Sequence, residues 1–320
     1  MRESLALKKP ELITTRAPLG DILKNFFDDR ALVLADTYNA SRIGVRSSLV
    51  TSNSESQLGS LKNANRGKVI GIGGCTALDV ARAVAGKGDE LILVPTILST
   101  PCISANISVL EGSQGELKII ETPFPSKVIV STSAILDTDK ASLVKWTQSG
   151  FADLFAKMSA AIEAGEEKRI PEMAAFVAAK WVSNDFSGFE RSVVPLAKLL
   201  HRASLETAEH GIVMSGEHML YLAMRSQGVA GPTHGQLVSV GTIATARIAA
   251  EKTGDSKLYW LLRDAYRRLG FPLTYPELEA IGITKQHIID GLEAIRDGGT
   301  VLGNSFQSKG HKILDNVFKG

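Results

Sequence analysis

The sequence predicts an α/β domain with a parallel sheet over residues 1–137 and an all-helical domain over residues 138–320. Two observations predict the first domain: short apolar runs alternate with helical stretches, and a glycine-rich turn joins one strand to a helix. The third observation is a change after Asp137, where strand-like runs disappear and apolar residues recur with a period of about 3.6. Together these patterns are typical of an α/β domain followed by a helical one.

The strands of the first domain are predicted from apolar runs that are continuous, which indicates burial on both faces as in a parallel sheet. These runs cover residues 30–36, 46–51, 68–72, 90–95 and 127–130. A helix over residues 77–85 follows the third run and completes a βαβ unit with a right-handed crossover. Residues 109–110 and 117–120, separated by a polar, glycine-containing segment, predict a hairpin.

The second domain is predicted to consist of helices, because its apolar residues recur at helical spacing. The predicted helices cover residues 149–166, 171–186, 190–207, 215–225, 233–253, 257–269 and 285–296.

Composition narrows the classes of protein and of partner. The 320 residues are 44% hydrophobic and 22% charged, with a net charge of +2, which is typical of a globular protein and gives no electrostatic basis for nucleic-acid or membrane binding. Two cysteines form no disulfide framework, and neither a secretory signal nor a run of transmembrane length is visible. We therefore expect a soluble, cytoplasmic protein. We also expect it to take a small-molecule substrate and to form a homo-oligomer, a dimer or higher.

The glycine turn after the third predicted strand is the most informative motif. Gly71, Gly73 and Gly74 allow the main chain to approach a ligand, and the helix that follows directs its N–H groups and positive dipole end at the same point. A strand, a glycine turn and a helix in this order are what a dinucleotide pyrophosphate requires. The spacing is G-x-G-G rather than G-x-G-x-x-G, so a tight turn without a ligand is the alternative.

Three residues of the helical half have the chemistry of metal ligands. Asp153 lies within an apolar stretch, where a carboxylate must be paired, hydrogen-bonded or metal-bound. With His218 and His234 it would form a mixed N/O site that suits Zn²⁺ or Fe²⁺ and leaves a position for substrate. Taken singly, His218 also fits a hydrogen-bonded core histidine, and His234 also fits a residue beside a helix N-cap.

Five motifs in order carry a resemblance to a known superfamily. They are residues 71–79, 95–100, 150–153, 215–218 and 234–235. This chain resembles the superfamily of glycerol dehydrogenases, glycerol-1-phosphate dehydrogenases, iron-type alcohol dehydrogenases and dehydroquinate synthases. The Gly-Glu-His and Thr-His-Gly-Gln contexts are most similar to the glycerol-1-phosphate dehydrogenase branch.

The resemblance implies a dehydroquinate synthase-like fold, with a Rossmann-like dinucleotide-binding domain and a helical metal- and substrate-binding domain. It implies a metal-dependent dehydrogenase that uses NAD or NADP and acts on a small alcohol, polyol or polyol phosphate. The residues that it implies for metal binding and catalysis are Asp153, His218 and His234. Those that it implies for cofactor binding are Gly73, Gly74, Cys75, Asp79, Thr96, Ser99 and Thr100.

Two departures from the family pattern indicate an altered substrate. Pro101 stands where the polyol dehydrogenases have an aspartate that contacts substrate, and Leu222 stands where a second histidine is common. Neither side chain can accept or relay a proton. The alternatives are a sugar-phosphate cyclase of the dehydroquinate synthase type and a catalytically silent nucleotide-binding relative.

Two further points stay open at the level of sequence. The strand over residues 46–51 and the two residues after it carry no acid that would clasp a ribose 2′-hydroxyl, so neither NAD nor NADP is excluded. The proton relay has several candidates, which are Ser104, His210, Tyr221 and water, and none is assigned.

Overall fold

The computed structural model describes residues 9–28, 30–61, 67–112, 117–163, 179, 188–210, 215–309 and 312–318. The chain divides into two compact units. The first comprises Met1–Leu143 and Val193–Gly211, and the second comprises Val144–Ser192 and Ile212–Gly320. A segment of the predicted helical half therefore groups with the first unit. That one domain ends at Asp137 and another begins after it stays a prediction.

The first unit is built on a parallel sheet, as the apolar runs predict. The strands in chain order are β1 Glu11–Thr15, β2 Leu32–Asp36, β3 Ser48–Val50, β4 Lys68–Gly73, β5 Glu90–Pro95, β6 Ile107–Glu111, β7 Leu117–Glu121 and β8 Lys127–Ser131. Six strands form one sheet in the order β1-β8-β5-β4-β2-β3, and every pair within it is parallel. β6 and β7 form the predicted antiparallel hairpin.

Strand β1 is the element of the sheet that the sequence pattern does not predict. It pairs with β8 at the edge of the sheet and is only partly buried, with a polar residue at each end. An edge strand of this kind lacks the continuous apolar run that identifies a strand buried on both faces.

Helices follow the strands of the first unit in chain order. They are α1 Leu19–Phe26, α2 Thr37–Ala40, α3 Glu55–Leu61, α4 Cys75–Val84, α5 Thr132–Leu136 and the start of α6 Lys140–Glu163. The central strands supply the buried core with Val33, Ile70, Ile92 and Ile129, against which α1 packs. The predicted helix over residues 77–85 is α4, which begins two residues earlier than expected.

The order of the strands creates a topological switch point between β2 and β4. These two strands are neighbours, but the chain leaves β2 towards β3 on one side and leaves β4 towards β5 on the other. In open α/β sheets a ligand binds in the crevice outside the carboxyl ends of two such strands. β2 ends at Asp36 and β4 ends at Gly73, so these residues border the expected crevice.

The second unit is helical throughout its described residues. After α6 come α7 Phe189–His210, α8 Gly216–Ser226, α9 His234–Thr253, α10 Lys257–Arg268, α11 Tyr275–Ala280, α12 Lys285–Ile295, α13 Val301–Lys309 and α14 Lys312–Phe318, with α7 from Val193 onwards assigned to the first unit. The helix predicted over residues 171–186 lies outside the described residues, apart from residue 179. None of the described helices is long and apolar enough to cross a membrane.

Helix α9 is the central element of the second unit, and most of its residues are buried. It begins with a capping box formed by Thr233 and Gln236. Two of its glycines permit close helix packing, because a Cβ at Gly235 would lie 2.6 Å from Ser149 Cα of α6 and one at Gly241 would lie 2.5 Å from Glu217 Cα of α8. The fold of this unit therefore brings the first turn of α9 against α6 and its second turn against the start of α8.

Candidate metal and dinucleotide sites

The close packing of α9 brings together the three residues that the sequence analysis named as candidate metal ligands. Asp153 lies on α6, His218 near the start of α8 and His234 at the start of α9. Each offers a ligand atom, and the three atoms lie within 4.8 Å of one another. Residues separated by up to 81 positions in the sequence thus form one cluster in the helical unit.

The geometry of the cluster fits a divalent cation. Asp153 Oδ1 lies 2.8 Å from Nε2 of His234 and 3.6 Å from Nε2 of His218. Two ligands with bonds of ~2.1 Å to a tetrahedral ion would lie about 3.4 Å apart, which agrees with the 3.6 Å distance to His218. The 2.8 Å distance to His234 is that of a hydrogen bond, so the two groups would have to move apart to admit an ion. One carboxylate oxygen and two imidazole nitrogens are also the donor types that Zn²⁺ and Fe²⁺ accept.

The electrostatics of the cluster favour ionised groups. Burial alone would raise the pKa of Asp153, but the two neighbouring histidines lower it to about 2. Burial alone would lower the pKa of His218, but hydrogen bonds to Asp153 and Glu217 raise it to about 10. The side chain of Asp153 is 9% exposed, whereas those of His218 and His234 are 27% and 30% exposed. The cluster is therefore closed at the carboxylate and open at the imidazoles.

Two neighbours hold the imidazole rings in place. The ring of Tyr221 meets the ring of His234 edge-on, with centroids 4.5 Å apart. Nδ1 of His218 lies 3.1 Å from Oε1 of Glu217, a fully buried carboxylate that the sequence analysis did not single out. The sequence feature that could have identified Glu217 is its position directly before His218 in the Gly-Glu-His motif.

In the first unit, the glycine turn lies at the switch point between β2 and β4. Gly73 has a φ of +141°, which favours glycine, and a Cβ there would lie 2.2 Å from Oδ2 of Asp36. Gly74 is the N-cap of α4, and a Cβ added to it would meet none of the described atoms within 4 Å. The space beside Gly74 and the N-terminus of α4 together suit a pyrophosphate.

Asp36 is a second residue that the sequence analysis missed. Its Oδ2 accepts a hydrogen bond from the N–H of Gly74 at 3.2 Å, and its Oδ1 accepts one from the N–H of Asn39 at 2.9 Å. The feature that could have identified Asp36 is an acid at the end of a buried strand. Its importance depends on β2 being the neighbour of β4, and the sequence does not reveal that order.

Three more of the predicted cofactor residues lie after β5, which is the other neighbour of β4. Thr96 is buried, and its hydroxyl accepts a hydrogen bond from Asn39 Nδ2 at 3.0 Å. Ser99 is also buried, and the hydroxyl of Thr100 accepts a hydrogen bond from the N–H of Cys102 at 3.1 Å. The backbone N–H of Thr96 donates to the carbonyl of Gly73 at 3.1 Å, which joins this segment to the glycine turn.

The last two predicted cofactor residues lie on α4. Cys75 is its first residue, and burial raises the pKa of its thiol. Asp79 is buried one turn later and forms an ion pair of 2.8 Å with Arg82, which is itself 1% exposed. Burial raises the pKa of Asp79 to about 6, although Arg82 acts in the opposite direction. The carboxylate of Asp79 thus has a partner within the protein, and its contact with a cofactor stays a prediction.

The two departures from the family pattern lie in ordered elements. The carbonyl of Pro101 accepts a hydrogen bond from the hydroxyl of Ser204, and Leu222 is a partly buried residue of α8 one turn after His218. Of the candidate proton relays, Tyr221 contacts His234, whereas the buried Ser104 forms a hydrogen bond of 2.7 Å with Nδ1 of His201. The side chain of His210 lies outside the described residues.

The comparison with solved structures shows which known proteins share this fold. The chain has the fold of a probable glycerol dehydrogenase from Sinorhizobium meliloti, with a TM-score of 0.69, 18% identity and coverage of 93% of this chain and 92% of that chain. An iron-containing alcohol dehydrogenase from Corynebacterium glutamicum matches with a TM-score of 0.70 at 14% identity, covering 98% and 96%. A maleylacetate reductase from Agrobacterium tumefaciens matches with a TM-score of 0.67 at 17% identity, covering 97% and 96%.

The comparison of sequences is more specific. A glycerol-1-phosphate dehydrogenase from Haloquadratum walsbyi, whose name specifies NAD(P)+, is 24% identical over 92% of this chain and 85% of its own length. A protein of the same name from Picrophilus torridus is 26% identical over 77% of this chain and 72% of its own length. No family model matches the chain. These relatives confirm the resemblance that the motifs indicate, to this superfamily and to its glycerol-1-phosphate dehydrogenase branch.

Proposed function

We propose that this chain is a metal-dependent, NAD(P)-linked dehydrogenase that acts on a small alcohol, polyol or polyol phosphate. The observation that carries the proposal is the cluster of Asp153, His218 and His234, whose ligand atoms lie within 4.8 Å. It occurs in a chain whose other unit has a glycine turn at the switch point of a parallel sheet. Relatives with these names support the same reaction class.

The metal ligands in this proposal are Asp153 Oδ1 and the Nε2 atoms of His218 and His234. When bound, a divalent ion such as Zn²⁺ or Fe²⁺ supplies a Lewis acid towards the substrate oxygen, and NAD(P)+ supplies the hydride acceptor. Asp153 contributes the negative charge of the site from its buried position. The partly exposed imidazoles leave one face of the cluster accessible, and Tyr221 limits rotation of the His234 ring.

The cofactor site in this proposal is formed by Gly73, Gly74 and the first turn of α4, with Cys75 as its first residue. The N–H groups at the start of α4 bind the pyrophosphate, because they point out of the helix N-terminus and none of the described side chains fills the space at Gly74. The N–H of Gly74 itself donates to Asp36. Thr96, whose N–H donates to the carbonyl of Gly73, completes this site together with Ser99 and Thr100 from the segment after β5. Asp79 pairs with Arg82 within α4, and Arg82 joins the helix to that segment by donating to the carbonyl of Cys102.

Asp36 supplies the argument for the choice between the two nicotinamide cofactors. Its carboxylate lies beside the glycine turn, where a negative charge accepts hydrogen bonds from ribose hydroxyls and repels a 2′-phosphate. We therefore expect a preference for NAD. Replacement of Asp36 by alanine should raise the ratio of NADP to NAD affinity at least tenfold, and an unchanged ratio in a folded variant would contradict this assignment.

The substrate in this proposal differs from glycerol and glycerol 1-phosphate at two recognition points. Pro101 and Leu222 replace an aspartate and a histidine of the family pattern, so the groups that would bind a polyol hydroxyl there are absent from these two positions. The fold does not settle the substrate, because a maleylacetate reductase shares it. We expect a substrate with an apolar group where the polyol hydroxyl would lie.

The test is steady-state turnover of the purified chain loaded with Zn²⁺ or Fe²⁺ and supplied with NAD+ or NADP+. Glycerol 1-phosphate, glycerol and a series of short-chain alcohols are the substrates, and reduced nicotinamide is the readout. We expect metal-dependent reduction that is abolished in His234→Ala. Consumption of a sugar phosphate without net reduction would instead show a cyclase. A protein that binds metal and cofactor but turns over none of the substrates, nor the corresponding carbonyl compounds with NAD(P)H, would contradict the proposal.

A homo-oligomeric state, a dimer or higher, and a cytoplasmic location complete the proposal. Both are expectations carried over from the sequence. Light scattering of the purified chain tests the first point, and a mass equal to one chain would contradict it.

A further inference from the structure

Glu217 is a buried carboxylate that the proposed reaction does not use. It is the second residue of α8, is 1% exposed and is covered by α9, because a Cβ at Gly241 would lie 2.5 Å from its Cα. A carboxylate in such a place is unfavourable unless hydrogen bonds and opposite charge compensate for the loss of water. The partners of Glu217 therefore indicate why the site holds it.

Within the described residues, the side chain of Glu217 contacts Ser215 and the proposed metal ligand His218. Its Oε1 accepts a hydrogen bond from the hydroxyl of Ser215 and lies 3.1 Å from Nδ1 of His218. Its Oε2 has no hydrogen-bond partner within the described residues. Its ion-pair partner in that part of the chain is again His218. The N-terminus of α8 adds a weak favourable field but no charge of its own.

The geometry around His218 assigns different tasks to its two nitrogens. Nδ1 faces Glu217 Oε1, which can only accept a hydrogen bond, so Nδ1 carries the proton. In the neutral imidazole the other nitrogen then has a free lone pair. Nε2 lies 3.6 Å from Asp153 Oδ1, on the side of the proposed metal ligands. Glu217 thereby selects the tautomer that can bind a cation through Nε2.

We propose that Glu217 is a positioning residue of the metal site, which holds His218 with Nδ1–H directed at its carboxylate and Nε2 directed at the ion. A carboxylate in this place also brings the charge of the site, together with Asp153, to the value that balances a divalent cation. Partners of this type that orient a ligating histidine commonly change metal affinity by about 10- to 100-fold when they are removed. This inference rests on the proposed function, because it requires that the cluster bind a metal.

The experiment measures Zn²⁺ affinity by competition with a chromophoric chelator, with no substrate or cofactor present. Glu217→Gln removes the charge and keeps the size of the side chain, so we expect it to weaken Zn²⁺ binding about 10- to 100-fold. The matched control is Glu279→Gln, the same change at an exposed position of α11, which should leave the affinity unchanged. His234→Ala, which removes a ligand, should weaken binding more than Glu217→Gln does.

The outcomes separate this inference from the proposed function. If the wild-type chain binds neither Zn²⁺ nor Fe²⁺, both are overturned. If the wild-type chain binds Zn²⁺ and folded Glu217→Gln binds it with the same affinity, the positioning role alone is overturned.

A measurement on the wild-type chain tests the positioning role of Glu217 even if Glu217→Gln does not fold. Nitrogen NMR of the histidines in the Zn²⁺-loaded protein should show His218 protonated at Nδ1 and bound to the ion through Nε2. Coordination through Nδ1, or a proton on Nε2, would overturn the inference. A purely structural role for Glu217 would lower the melting temperature without determining which nitrogen binds Zn²⁺.

Discussion

The contact between Gly235 and Ser149 predicts that the spacing of the metal ligands depends on a single glycine. Gly235 directly follows His234, and Ser149 precedes Asp153 by one turn of α6. A Cβ at Gly235 would lie 2.6 Å from Ser149 Cα and 3.0 Å from its backbone nitrogen, whereas ordinary contact begins at 3.4 Å. Gly235→Ala should therefore push α9 from α6 by about 0.8 Å, since both atoms of Ser149 belong to backbone.

A displacement of this size exceeds what a metal site tolerates. Ligand distances in such sites hold to about ±0.2 Å, and misplacement of a reacting group by about 1 Å can cost ~100-fold in function. We expect Gly235→Ala to weaken Zn²⁺ binding at least tenfold, while the overpacking lowers the free energy of unfolding by about 1–3 kcal/mol. The assays are chelator competition for affinity and urea denaturation of the metal-free protein for stability.

The matched control for this substitution is Gly231→Ala, four residues earlier in the chain. A Cβ at Gly231 would lie 3.5 Å from the carbonyl oxygen of Ile281, which is ordinary contact, so affinity and stability should both stay near the wild-type values. A folded Gly235→Ala protein that binds Zn²⁺ as tightly as the wild type would refute the reasoning that this helix contact sets the distance between His234 and Asp153.

Substitutions at Gly74, Asp79 and His218 test the cofactor turn, the buried ion pair and the charge of the metal cluster. A Cβ at Gly74 would meet no described atom within 4 Å, so Gly74→Val should fold, but its side chain would obstruct the pyrophosphate and weaken NAD(P) binding tenfold or more, about 1.4 kcal/mol; unchanged affinity by calorimetry would reject the glycine-turn site. Asp79→Asn leaves the buried guanidinium of Arg82 without its partner charge and should destabilise the protein by about 3–5 kcal/mol in urea, whereas the exposed Asp21→Asn should have little effect. Because the pKa of His218 is raised, its protonated form stabilises the metal-free protein. This stabilisation is complete below pH 6.5, the pKa in the unfolded chain, and disappears as the pH rises through about 10. The melting temperature of the chelator-treated protein should therefore fall across that range, and His218→Gln should lack this fall.

Much of the first unit could be predicted from the sequence, because short stretches of the chain carry the patterns that identify its strands and turns. The strands β4 and β5 are continuous apolar runs, and the glycines between β4 and α4 mark the turn within a few residues. Helical periodicity likewise identified α8, α9, α10 and α12 nearly to their ends. The candidate ligands Asp153, His218 and His234 could also be named from the sequence. A carboxylate within an apolar helix needs a partner, even when the sequence does not show which residue supplies it.

The short helices α11, α13 and α14 and the edge strand β1 were not predicted. Each has a short or weakly periodic apolar pattern, and each is stabilised by the elements on which it packs rather than by its own sequence. The assignment of most of α7 to the first unit is of the same kind, because a helix of 22 residues does not reveal from its own pattern which core buries it.

Only the tertiary structure decided which chemical groups meet. Strand order places Asp36 beside Gly74, and the glycines of α9 bring His234 to Asp153 and enclose Glu217 against His218. The sequence by itself determined the kinds of atoms available for a dinucleotide and a metal, because residue type and local period are properties of short windows. The distances among those atoms depend on contacts between residues far apart in the chain, and such contacts are set by the packing of whole helices and strands.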